Sequence, residues 1–322
     1  MAIPNQDPAR REESRVGSVA VVVNWNGGEQ NQECIASLLA QGLPAAAIVF
    51  VDNGSVDRSA DDVARAFPGL VMLRNRENLG FGEGANQGAR EALSRGARLV
   101  FFVNNDVKLP DGTLARLERE LEEFPAIGIV GPRILYKSEP ERVWCAGGML
   151  TWKQNLSTLL GHREPDGPRW RESREVDYVA GCALLVRREV LEKVGFFDAR
   201  YFAYMEDVDL CLRAKRAGYG VRLVGDAAAY HASSSATGGG YNPRRKYMMG
   251  VNSIWFLKRH ARAREWARFL AYDVLTLPFL WVAGLFRGQA KAVVGKALGI
   301  FDGLRGVRVT SVSMSKGAGW LW

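Results

Sequence analysis

Short apolar runs alternate with helix-patterned stretches through the first 124 residues, and this alternation constrains the fold more than any other feature. The runs at 19–24 (Val-Ala-Val-Val-Val-Asn), 48–51, 71–74 and 99–103 (Leu-Val-Phe-Phe-Val) read as strands with buried side chains. Stretches at 29–41, 57–66, 84–96 and 112–124 have helical character. Strands and helices in this order predict an α/β domain with a mostly parallel central sheet flanked by helices. Ligands of such sheets bind beyond the carboxyl ends of the strands. The residues that close each run are therefore the first candidates for chemistry.

The run at 99–103 closes on Asn104-Asn105-Asp106. A carboxylate there is well placed to hold a divalent cation against a phosphate-bearing substrate. An Asx-rich turn that only stops the strand is the plain alternative. The second run closes on Asp52-Asn53-Gly54-Ser55, where an Asp can accept from a pyrimidine ring N–H or a ribose hydroxyl; locally, a simple Asx turn explains it better. The glycine-rich stretch 78–88 offers close backbone approach and N–H groups near a helix start. It follows the third run rather than the first, which argues against a dinucleotide-binding dehydrogenase.

Glu206-Asp207-Val208-Asp209 opens a helix expected over 207–217. Complementing the helix dipole accounts for one of these acids, Asp209. Glu206 and Asp207 are neighbours, which on a helix point in different directions. A single base at a helix start, ionised at neutral pH, can accept a hydroxyl proton. His231 follows a strand expected at 221–224 and gains a ligand role only if the fold brings it beside Asp106.

Other segments are less telling. Residues 137–177 mix charge, Gly, Pro and Trp without periodicity; an apolar strand is expected at 179–186, a helix at 188–194 and a flexible small-residue loop at 232–243. Cys34, Cys145, Cys182 and Cys211 show no metal-ligand spacing, and only three histidines accompany them, which argues for reduced thiols and against structural zinc. Residues 1–17 read as a disordered lead without a targeting signal.

Charge is uneven. Residues 244–308 hold 13 Lys/Arg against 3 Asp/Glu. Nucleic acid and anionic lipid both suit such a patch. Residues 269–286 are apolar and aromatic but contain Asp273 and Pro278, and eighteen residues is short for a membrane span. Apolar positions in 289–304 alternate with Lys291 and Lys296. The favoured reading is a basic amphipathic extension over 244–308 lying on an anionic membrane surface, with no nucleic acid. Packing of these helices on the catalytic domain, or in a homodimer, is the alternative. A flexible tail is expected at 309–322.

Taken together, the motifs resemble those of inverting family 2 glycosyltransferases with the GT-A fold, closest to a rhamnosyltransferase-like branch that decorates cell-surface polysaccharides. They are VVNWNG at 22–27, VDNGS at 51–55, NLGFGEGANQG at 78–88, FVNNDV at 102–107, the 181–198 stretch and YMEDVDLCLRAKRAGY at 204–219. The resemblance implies a GT-A nucleotide-diphospho-sugar transferase fold over 18–243 with a C-terminal helical extension. It implies that Asn24, Asp52 and Asn53 cradle the nucleoside, with Asn26 also in the donor site. Asn78, Gly80, Gly82, Asn86, Asn104 and Asn105 would complete the donor site. Asp106 matches the last acid of the family's DxD metal motif, whose first position here is Asn104. His231 matches a histidine that helps bind metal or diphosphate, and Asp207, with Glu206 beside it, matches the catalytic base.

The implied cofactor is Mg²⁺ or Mn²⁺. The implied partners are a nucleotide-diphospho-sugar donor, first dTDP-rhamnose, and a glycan or polyprenyl-linked glycan acceptor. The implied location is cytoplasmic, at the inner face of the cell membrane. A non-catalytic nucleotide-sugar-binding scaffold and an NAD-dependent oxidoreductase are the alternatives. Asp207→Asn separates the first from an enzyme, whose turnover should collapse while donor binding survives, and the second predicts a preference for NAD without metal.

Overall fold

The strand at the middle of the sheet is β4, Leu99–Asn104, whose Phe101 and Phe102 are fully buried. The computed structural model describes residues 17–232 and 241–314. The expected N-terminal lead, apart from Gly17, lies outside the described residues, as do most of the 232–243 loop and the last part of the tail.

β1 (Ser18–Asn24), α1 (Gln30–Ala40), β2 (Ile48–Asp52), α2 (Ser59–Ala66), β3 (Val71–Arg74) and α3 (Phe81–Ser94) precede β4. β3, β2, β1 and β4 lie side by side, all parallel. Burial on both faces explains why β1 and β2 read as unbroken apolar runs rather than alternating ones. Beyond β4 come β5 (Val107–Lys108) and α4 (Thr113–Glu123). In α4, Leu114, Leu117 and Leu121 form the buried stripe and charged residues face water.

The sheet becomes mixed past β4. β6 (Ile127–Tyr136) is followed by β7 (Val143–Cys145), which pairs with it, and by the hairpin of β8 (Gly148–Leu150) and β9 (Ser157–Leu159). This hairpin, the short helix α5 (Pro168–Arg171) and strand β10 (Arg174–Glu175) occupy the stretch without periodicity. β11 (Ala183–Arg187) is antiparallel to both β4 and β6. It starts later than the expected 179 because residues 181–182 form a turn. The helices α6 (Arg188–Val194) and α7 (Glu206–Arg216) follow.

β12 (Gly220–His231) is far longer than the 221–224 expected from its apolar residues. Its pairing with β6 shifts register between Val224 and Ala228, where Gly225 and Asp226 interrupt the apolar run. The strand then resumes, pairing with both β6 and β5, and it ends on His231.

The C-terminal helices are α8 (Pro243–His260), α9 (Ala263–Phe269), a π-turn (Leu270–Val274), α10 (Leu277–Phe286), α11 (Ala290–Leu304) and α12 (Ser311–Met314). They are not a separate body. Ile254, Phe256 and Leu257 of α8, Phe269 and Ile300 join the same buried core as the sheet. The start of the expected flexible tail is docked as well: Val309 is buried against Tyr247, Met248 and Val251 of α8.

Asp273, costly in an apolar helix, faces the protein. It forms a buried ion pair with Lys296 of α11 and accepts from the Asn155 N–H at 3.0 Å. The opposite face of Ala263–Phe286 is apolar and open. Within this 24-residue stretch an 18-residue window has a mean hydropathy of 1.7, long and apolar enough by composition to cross a membrane, and only 17% of that window is buried. Leu275, Phe279 and Phe286 are 68%, 78% and 88% exposed.

Candidate active site

Beyond the carboxyl end of β4 a cavity of about 480 Å³ opens toward solvent. Asn104, Asn105, Asp106, Glu206, Asp207 and His231 all line it. Three separate parts of the fold converge here, and each has a local cause.

His231 reaches Asp106 through strand register. His231 stands opposite Val107, and the N–H of Ala232 donates to the Asp106 carbonyl at 3.2 Å. This sets His231 Nε2 3.2 Å from Asp106 Oδ1, with both side chains buried. Trp144 packs edge-on against the His231 ring, 4.8 Å between centroids.

Glu206 and Asp207 enter by a different route. Tyr204 and Met205, immediately before α7, both adopt left-handed backbone, φ 73° and 75°. Such a conformation costs roughly 1–2 kcal/mol per non-glycine residue. The turn brings the first residues of α7 to the cavity wall. Both acids therefore line the cavity, contrary to the expectation that helix neighbours point apart; the divergence of side chains along a helix matters little at its first turn when that end faces the site.

Asp207 is held in place by the backbone. Gly181 N–H donates to its Oδ2 and Val208 N–H to its Oδ1, both at 2.8 Å. A Cβ on Gly181 would lie 3.0 Å from the Asp207 Cβ, so glycine permits this approach. Burial pushes the Asp207 carboxyl above its ordinary value, while these N–H groups pull it back. Burial and the neighbouring Asp207 charge push Glu206 well above its ordinary value. Glu206 is pushed further from its ordinary value than Asp207, so a proton shared by the pair favours Glu206.

Asp209, the third acid, is structural. Burial raises its carboxyl, but the His260 hydrogen bond at 2.7 Å and the Arg213 ion pair at 2.7 Å outweigh it and hold it below the usual range. Arg216 donates to His260 Nδ1, which leaves the Nε2–H to donate to Asp209.

The remaining expected donor residues form an adjoining amide network. Asn24 is a buried hub: its amide donates to Asp52, Ser55 and Ser59 and its carbonyl accepts from Gly27, Asn31 and Asn105. Asn105 thereby ties the network to the cavity. The Asn53 amide donates to Asn78 Oδ1 and the Gly80 carbonyl, both at 3.0 Å. Asn26 is exposed and caps the Val56–Asp57 backbone. These side chains shape the turns beyond β1 and β2, and none except Asn104 and Asn105 lines the cavity.

Asn86 has a structural partner. It is buried and exchanges two hydrogen bonds with the Phe197 backbone, bracing α3. Gly80 and Gly82 likewise abut Phe202 and Tyr201, so protein fills the space their missing side chains leave.

Glu206 Oε2, His231 Nδ1 and Asn104 Oδ1 are buried without a hydrogen-bond partner among the described residues. Three such atoms around one cavity are what a polar ligand would satisfy. A divalent cation fits this donor set if the substrate supplies further oxygens. Asp106 and His231 offer a carboxylate and an imidazole, and no cluster of three or more His, Cys, Asp or Glu residues suited to a metal occurs among the described residues.

Sequence reading had not singled out Trp144, Asn155, His162, Tyr178, Arg245 and Met249, which complete the cavity. Most come from the stretch without periodicity or from α8, where no local pattern marks them.

The profile of glycosyl transferase family 2 matches residues 19–195, more than half of the chain. The chain belongs to this family. As a family 2 glycosyltransferase it is similar to the N-acetylglucosaminyl-diphospho-decaprenol L-rhamnosyltransferase of Mycobacterium tuberculosis, 29% identical over 238 residues, covering 68% of this chain and 76% of that one. The mannosyltransferase PcManGT of Pyrobaculum calidifontis, solved with GDP-Man and Mn²⁺, shares the fold with a TM-score of 0.58 and 17% identity, over 90% of this chain and 87% of that one. GalNAc-T7, solved with UDP, GalNAc and Mn²⁺, gives a TM-score of 0.56 and 16% identity, over 75% of this chain and 51% of that one. The expected GT-A architecture is thereby shown, and with the family match the chain is a glycosyltransferase.

Proposed function

We propose that this glycosyltransferase moves a sugar, with inversion, from a nucleotide diphosphate to a hydroxyl of a lipid-linked glycan. The observation that carries the reading is that Asp106 with His231 and Asp207 with Glu206 line a single cavity. Rhamnose from dTDP-rhamnose is the first choice of donor, supported by the likeness to the Mycobacterium tuberculosis L-rhamnosyltransferase.

The donor diphosphate sits against Asp106 and His231, with Asn104 and Asn105 beside it. The nucleoside lies over the network of Asn24, Asn26, Asp52, Asn53 and Asn78. Asp106 and His231 would hold Mg²⁺ or Mn²⁺, which would supply Lewis-acid neutralisation of charge on the diphosphate. Asp207, ionised and fixed by two backbone N–H groups, accepts the proton of the acceptor hydroxyl. The acceptor oxygen attacks the anomeric carbon as its bond to the diphosphate breaks on the opposite face. Glu206, protonated, adds no second negative charge. One base and one in-line displacement suffice, whereas a glycosidase requires two carboxyl groups flanking the bond.

The domain assignment follows. Residues 18–243 carry the proposed base and metal-binding groups, and 244–308 form the basic extension, whose Arg245 and Met249 also line the cavity. The open apolar face of α9 to α10, with Arg264, Arg268 and Arg287 in the same stretch of sequence, lies on the anionic inner surface of the cell membrane, where a polyprenyl-linked acceptor is found.

Calorimetric titration with dTDP, UDP, GDP and NAD, each with and without Mn²⁺, tests the donor site. Metal-dependent binding of a nucleoside diphosphate is expected. A preference for NAD without metal would overturn the proposal.

A further inference from the structure

The strained turn before Glu206 is held from outside the family-matched region. Asn252, in the middle of α8, is fully buried, and its amide donates to the Ala203 carbonyl at 2.7 Å and to the Tyr204 carbonyl at 2.8 Å. Ala203 and Tyr204 themselves line the cavity, and Tyr204 and Met205 are the two left-handed residues that start α7. The Oδ1 of Asn252 is buried with no hydrogen-bond partner among the described residues. An amide serving only to fill space would be poorly chosen here, because that oxygen is costly to bury. Its two donor bonds are what offset the cost. The same helix grips α7 a second time, one turn further in, through His260 and Asp209.

We infer that Asn252 is a positioning residue for the carboxyl pair. It fixes the left-handed Tyr204–Met205 turn, and through it the direction in which Glu206 and Asp207 enter the cavity. The inference rests on the proposed reading of Asp207 as the base. A misplacement of about 1 Å in a reacting group can cost roughly a hundredfold in rate. Non-glycine residues hold left-handed backbone only where the surroundings enforce it. Without Asn252 both carbonyls lose the bond they accept from its amide, and the turn loses a clamp against relaxing toward right-handed geometry.

The test compares Asn252→Ala, Asn252→Ser and Asp207→Asn in the full chain. Steady-state kinetics, a pH–rate profile and nucleotide titration are measured for each. Asn252→Ala is expected to lower kcat about a hundredfold, with the donor KM changed less than threefold. Asn252→Ser, which keeps one donor, should fall between it and the parent. The acid limb of the Asn252→Ala profile should also move, because the coupling of Glu206 and Asp207 depends on their placement. Should the alanine variant fail to fold, the serine variant decides by the same readings. An unmoved profile with kcat within twofold of the parent overturns the inference, as does a loss confined to thermal stability. Collapse of Asp207→Asn beside an unaffected Asn252→Ala defeats the inference alone, whereas an active Asp207→Asn defeats the base assignment on which it rests.

Discussion

His231 Nε2 stands 3.2 Å from Asp106 Oδ1 because the last residue of β12 lies opposite the first residue of β5. Backbone pairing, rather than a flexible loop, sets the spacing of these two groups. A site built on strand ends is expected to keep its geometry before any ligand arrives.

Replacing His231 by Ala should therefore weaken metal-dependent nucleotide binding while leaving the strand intact. A loss of at least about tenfold in apparent Mn²⁺ affinity is expected, in line with the effect of altering groups around metal sites. Titration of Mn²⁺ at fixed nucleotide measures it, and circular dichroism should show an unchanged fold.

Asp207→Asn should lower turnover by about 10²–10⁴-fold, the usual worth of a positioned base, with donor affinity retained. Steady-state rates and nucleotide calorimetry on the same preparation give both quantities. The acid limb of the parent's kcat/KM profile should lie above the ordinary aspartate value of 3.8, since burial raises this carboxyl.

Glu206 makes a thermodynamic prediction of its own. Its folded-state value is raised, so between the ordinary value of 4.5 and that raised value the folded protein binds more protons than the unfolded chain. The contribution to stability is fully present below 4.5 and is lost as pH rises through the folded-state value. Melting temperatures from about pH 5 to about pH 8 should fall more steeply for the parent than for Glu206→Gln.

Lys296→Met leaves the Asp273 carboxylate buried without its cation and should destabilise the protein by about 3–5 kcal/mol. The double change Asp273→Asn with Lys296→Met keeps an acceptor for the Asn155 N–H and removes both charges. It should recover most of the loss in denaturant unfolding, provided both series fit one transition.

Co-flotation with lipid vesicles tests the open apolar face. Binding to vesicles rich in an anionic lipid is expected at low salt, weakening as salt is added. Phe279→Ser with Phe286→Ser should reduce it about tenfold or more, given roughly 1.5–3 kcal/mol for each large apolar side chain removed from water. Equal binding to neutral vesicles would point away from the basic residues.

The parallel half of the sheet was legible because burial on both faces writes itself as unbroken Val, Ile and Phe. The turns that close those strands were legible as Asn and Asp because such side chains bond nearby backbone N–H groups. What escaped is what depends on distant contacts. The continuation of β12 to His231 is hidden by Gly225 and Asp226, whose polarity looks like a strand end but marks a register shift. Asn86 reads like a ligand residue, yet its partner is the backbone of Phe197, far along the chain. Asp273 reads as a flaw in an apolar helix until Lys296 is seen beside it. The strained Tyr204–Met205 turn has no glycine to announce it.

The grip of α8 on that turn bears on how such enzymes can be recombined. The stretch that defines the family ends at residue 195, and the helix carrying Asn252 comes well after it. A chimera that kept the first 242 residues and borrowed its remaining helices from a relative would inherit the Tyr204–Met205 turn without its clasp. Exchanging tails between these proteins to redirect them to new surfaces will therefore also retune their chemistry, unless the Asn252 contacts are grafted along with the tail.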